Sequence, residues 1–132
     1  MDTTSNSILT DTKKLLGLAE DYEIFDQDIV IYINAAFSTL FQLGIGPTDK
    51  PFTIADKVSK WSDFSEDPNV FASVKVYIYQ KVRLAFDPPQ SSFAVEAIKE
   101  QITEWEWRLH FQRELIADTT EVSSISSDSS EG

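Results

Sequence analysis

The stretch DPNVFASVKVYIYQKVRLAFDPPQSS, residues 67–92, decides how the chain folds. Its first twenty residues are rich in β-branched and aromatic side chains, so strand and helix compete for them. Val70, Val74, Ile78, Val82 and Ala85 recur at spacings of three and four, and Phe71, Tyr77 and Phe86 widen the stripe they form. A run of about 19 residues without a break is far longer than an ordinary strand, so the pattern predicts a helix. Asp67 supplies an N-cap and Pro68 the first helical position. At the far end Asp87 precedes proline, which drives it out of the helical region, and the helix must stop near Phe86. Pro88 and Pro89 hold the turn extended, Ser91 or Ser92 caps a following helix, and Glu96 complements the dipole of its first turn. Every residue of this corner has a conformational task, so neither Asp87 nor Ser91 needs a chemical one. The helix it ends is expected to be the central and most buried one.

Upstream, Ile8, Leu9, Thr12, Leu15 and Leu16 predict a first short helix, stopped by a left-handed Gly17. A loop over 18–25 leads to a second helix, capped by Asp26 or its neighbour and with Asp28 in its first turn. Ile29, Ile33, Ala36, Phe37 and Leu40 share one of its faces, and Gly44 ends it. Residues 47–66 alternate weakly, with Phe52, Ile54 and Val58 among polar neighbours, which reads as a short extended segment or hairpin-like loop. It is long for an inert connection.

Downstream, a last helix over roughly 93–114 carries a core stripe of Ala94, Ile98, Ile102, Trp105 and Leu109. At 100° per residue Trp107 lies about 180° from that stripe, and Phe111 nearly as far. Glu100 and Glu104 accompany them on this outer face. Two aromatics one turn apart on a charged face point to contact with another chain. The alternative is that the loop 47–66 folds over them. From Ala117 the chain becomes ADTTEVSSISSDSSEG, with four acids, no base, and Val122 and Ile125 as its largest apolar residues. Such a tail buries too little to order itself unless a partner holds it, most simply a neighbouring subunit that it joins as an added strand. The expected architecture is all-α. A small four-helix bundle occupies residues 1–116, with a long, partly extended loop between helices 2 and 3, and residues 117–132 form a flexible acidic tail.

Composition removes several functions. Eleven basic against 22 acidic residues leave a net charge of −11, and the bases are scattered, so affinity for nucleic acid through phosphate contacts is disfavoured. The chain has no cysteine, which excludes disulfide frameworks and cysteine zinc sites. Its longest apolar run, IVIYI at 29–33, falls far short of the ~20 residues that span a bilayer. The start, MDTTSNS, lacks the features of a signal peptide, and a soluble protein inside a cell is expected. His110 is the single histidine and no G-x-S-x-G elbow accompanies it. Asp21, Glu23, Asp26 and Asp28 lack the glycine and closing glutamate of a calcium loop. Glu104 and Glu106 point about 200° apart on a helix and cannot share a substrate. GIGP at 44–47 lacks the lysine of a phosphate loop. These residues predict no catalytic, cofactor or metal site, and no enzyme.

Laid out in order, the elements resemble the head–tail connector (adaptor) proteins of long-tailed bacteriophages. The resemblance rests on KKLLGL in the first helix, FDQDIVIYINAAFSTLFQLGIGP in the second, KWSDF in the long loop, VKVYIYQKVRLAFDPPQSS, and IKEQITEWEWRL. RLAFDPP and EWEWRL are its most specific parts; it covers roughly residues 8–113 and does not reach the tail. It implies a virion protein without cofactor, forming a ring of about twelve copies under the portal, extending the DNA channel and docking the next connector, stopper or tail protein. DNA would pass through without sequence-specific binding, and no membrane is involved. The subunit would wait in the host cytoplasm before assembly. Head-to-tail ring contacts need two different sticky surfaces on each subunit. Trp107 and Phe111 are candidates for one, and Phe52, Ile54, Trp61 and Phe64 of the long loop, or Val122 and Ile125 of the tail, for another. The competing reading is an acidic DNA mimic that blocks a host nuclease or other DNA-binding protein, with carboxylates spaced like phosphates.

Overall fold

The computed structural model describes the backbone of residues 6–131 and the side chains of residues 6–111. Five helices follow one another: α1 (Ile8–Leu15), α2 (Asp26–Gln42), α3 (Trp61–Phe64), α4 (Pro68–Phe86) and α5 (Ser92–Glu131). Among the described residues no strand forms, and the one β-type pairing is an isolated antiparallel bridge between Ser7 and Lys60. The chain is all-α. Its four longer helices form the bundle, and α3 is a single turn within the long connection from α2 to α4.

The stretch at 67–92 folds as its periodicity predicts. Asp67 accepts a hydrogen bond from the Asn69 amide at 3.0 Å, and Pro68 opens α4. The Asp87 amide donates to the Arg83 carbonyl at 2.8 Å, the last helical bond before the prolines. Ser91 then caps α5, its hydroxyl accepting from the Ala94 amide at 3.3 Å. α4 touches all four other helices. Val74, Tyr77, Ile78 and Val82 are its buried face, whereas Val70 is half-buried and Ala85 exposed, because the stripe runs out of neighbours at both ends. Central it is, yet α2 is the more deeply buried helix, with Ile29, Val30, Ile33, Ala36, Phe37 and Leu40 all inside. One flank of α4 meets solvent through Ala72 and Val76, whereas α2 is wedged between α1, α4 and the folded-in loop.

Gly17 and Gly44, with φ of 84° and 81°, turn the chain out of α1 and α2 in the left-handed conformation that glycine adopts without strain. Asp26 does not cap α2: Phe25 holds the cap position and makes no side-chain bond. The Asp26 carboxylate instead pairs at 2.8 Å with Lys13, a lysine buried in α1. α1 departs furthest from its apolar pattern. Leu15, part of that pattern, is exposed, while Thr10, Asp11, Thr12 and Lys13 are buried. The side chains of Asp11, Thr12 and Lys13 each have a partner, and so does the Thr10 amide. Thr12 donates to the Ile8 carbonyl at 2.9 Å, the Thr10 amide donates to the Ser7 hydroxyl, and Lys13 also donates to the Glu20 carbonyl at 2.9 Å. Asp11 accepts the Trp61 indole N–H at 2.9 Å and lies 3.4 Å from the Lys75 ammonium.

The loop 47–66 folds into the bundle. Asn34 of α2 clamps it by accepting from the Ile54 amide at 2.8 Å and donating to the Ile54 carbonyl at 2.9 Å. Phe52 and Phe64 pack against Phe37 with ring centroids 5.0 and 5.1 Å away. Gly46, at φ 91°, lets the backbone pass so close to Phe64 that a Cβ there would lie 2.6 Å from its ring.

Candidate contact surfaces

Helix α5 runs antiparallel to α4 and buries Ile102 and Leu109 against it, with Trp105 half-buried beside them. That registration turns residues 104, 107, 108 and 111 to solvent. Trp107 is 65% and Phe111 49% exposed, and their rings stack at 5.3 Å with an interplanar angle of 7°. Glu104 and Arg108 pair alongside at 2.9 Å, and the Arg108 guanidinium lies over Trp105. The aromatic pair is thus preformed, apolar on top and ringed by charge.

The long loop does not cover this pair. Four of its apolar residues face into the subunit instead: Ile54, Trp61 and Phe64 are buried and Phe52 packs on the core beside them. Within the subunit these four candidate interface residues are therefore turned inward. The physical reason is the Asn34 clamp and the Asp11–Trp61 bond, which satisfy the loop's polar groups only when it is folded inward. Val122 and Ile125 belong to the part of α5 whose side chains lie outside the described residues.

Sequence reasoning did not single out Ile24 and Ile31, and it placed Val58 in the loop without a surface role. All three are exposed, Ile24 and Val58 by 71% and 72%. Ile24 and Val58 follow Glu23 and Lys57, which line a small cleft of about 190 Å³ with Asp26 and Asp56. A larger cleft of about 580 Å³ opens between α2 and α5 over α4, lined among others by Tyr32, Ala35, Lys81, Leu84, Ala85 and Lys99. At its inner side the Tyr77 hydroxyl donates to Glu106 at 2.8 Å, and Gln80 bonds Gln101 across the same helix pair. Burial, and then the Glu106 carboxylate, hold the Tyr77 hydroxyl far above its ordinary pKa, so it stays a donor.

The groups weighed for chemistry do not assemble. His110 is exposed, and its Nδ1 lies 3.4 Å from the Leu43 carbonyl. Among the described residues no three His, Asp or Glu side chains converge as a metal site, and no helix is long and apolar enough to cross a membrane. The chain is a small all-α subunit that carries a bare, stacked aromatic pair on its last helix. The chain matches the family model described as phage connector protein over residues 8–115, and it belongs to that family. It is a phage structural protein of the connector class. Searches among curated proteins and among solved structures found no match.

Proposed function

We propose that this connector protein assembles as a closed ring of about twelve copies between the portal and the next neck or tail component, with the genome passing through its bore. The observation that carries the reading is the stacked Trp107–Phe111 pair, held bare on a subunit that has enough other apolar side chains to complete its own core. Exposed aromatics flanked by charge are the usual anchors of protein interfaces. The net charge of −11 suits a channel wall, because an acidic lining repels phosphate and lets DNA slide. No catalytic step belongs to this role.

The test combines the purified protein with portal and images the complex by electron microscopy. A ring seated on the portal is the expected result. Trp107→Ala keeps its helix content by circular dichroism but occupies fewer portals or fails to recruit the next neck component. Full occupancy and recruitment by that variant would remove the aromatic pair from the assembly surface.

A further inference from the structure

We infer that the large cleft between α2 and α5 is the seat for the edge of a second copy of this chain, the edge formed by Ile24 and the 55–58 segment. The inference rests on the ring reading above and assigns the two mating faces within it.

Placement on α2 is the first argument. At 100° per residue, Tyr32, Ala35, Ala36 and Thr39, which line the large cleft, centre about 180° from Asp26, Gln27 and Val30, which line the small one. The two clefts therefore open on opposite flanks of the same helix. In a ring of n subunits each copy is turned by 360°/n, so mating faces stand 180° − 360°/n apart on one subunit, about 150° for about twelve copies. Opposite flanks come within about 30° of that requirement. The stacked pair marks a third side of the subunit: Trp107 and Phe111 centre about 110° from the cleft-lining residues of α5, Lys99, Ile102, Thr103 and Glu106.

Chemistry agrees with placement. The large cleft has an apolar floor of Ala35, Leu84 and Ala85. Its bases are Lys81 and Lys99, the latter paired with Glu96 at 3.5 Å on the exposed face of α5; its one acid, Glu106, is already bonded by Tyr77. The opposing edge projects two exposed aliphatic side chains, Ile24 and Val58, and carries Glu23, Asp56 and the adjoining Asp21 against Lys57. Aliphatic tips meet an aliphatic floor, and acids meet lysines.

The absence of native cysteine makes the test clean. Ala35→Cys and Val58→Cys, both at exposed positions, are combined in one chain, assembled with portal and oxidised. A covalent ladder running up to the closed ring is expected, and each single-cysteine variant gives none. Rings by native mass spectrometry that link through Ala35→Cys with Trp107→Cys, and not through Ala35→Cys with Val58→Cys, overturn this pairing and leave the ring reading intact. Absence of any oligomer, with or without portal, sinks both. Independently, Lys81→Glu with Lys99→Glu should weaken self-association at least about tenfold, and Glu23→Lys with Asp56→Lys should restore it. Unchanged association in the doubly reversed lysine variant would also overturn the pairing.

Discussion

Trp61 is almost wholly buried, yet its indole N–H needs an acceptor, and the carboxylate of Asp11, fifty positions earlier, provides it. Asp11→Ala leaves that donor unpaired inside the subunit and removes the partner of Lys75, a loss of about 2 kcal/mol in urea unfolding. Asp11→Asn keeps an oxygen in place and should recover part of it. Tyr77→Phe deletes the bond to Glu106 and costs about 1 kcal/mol. The raised Tyr77 pKa fixes a sign. The folded state holds this proton more tightly than the unfolded chain does, so its contribution is complete below the ordinary tyrosine value of about 10 and declines as pH rises above it. Unfolding curves between about pH 9 and 11 should show this decline in the parent and a weaker one in Tyr77→Phe. None of these partnerships was legible in the sequence. The helical pattern of α1 says nothing of Asp11 and Lys13, whose burial depends on Trp61, Lys75 and Asp26, which only the folded chain brings near.

At the scale of elements, legibility followed locality. The start of α4 at Asp67–Pro68, its end at Asp87, and the cap at Ser91 are decided by residues next to one another, and the structure has each where the sequence places it. Asp67→Ala should cost about 1 kcal/mol through the lost cap. The outward direction of Trp107 and Phe111 was equally readable, because it needs only the helical repeat. The loop 47–66 was not. Its weak alternation leaves two faces in contention, and the choice between them is made by Asn34, twenty positions before Ile54, and by the Phe37 ring. Gly46 records how tightly the loop returns. Gly46→Ala combines a left-handed φ with a Cβ pressed into Phe64 and should cost more than about 2 kcal/mol. Gly17→Ala shares the positive φ but meets open space, so its cost should stay near 1 kcal/mol. Thermal melts of the two variants should separate them in that order.

For the whole molecule, the division between inside and outside carries the functional account. Phe52, Ile54, Trp61 and Phe64 of the long loop complete the core, and other apolar side chains stay exposed, among them the aromatic pair and Phe93 on α5, Ile31 on α2, and Ile24 and Val58. A subunit with distinct exposed surfaces can touch neighbours in its own ring and partners in adjoining layers at once. Trp107→Ala, lying on the outside, should leave unfolding free energy within about 0.5 kcal/mol while disturbing contact with an adjoining component. Electron microscopy of the portal-bound complex tests the central claim most directly. A closed ring seated on the portal, with the stacked Trp107 and Phe111 covered by a protein other than the subunit that bears them, is the predicted image. Portals left bare, with the chain found instead as a one-to-one complex on a host DNA-binding protein, would contradict it.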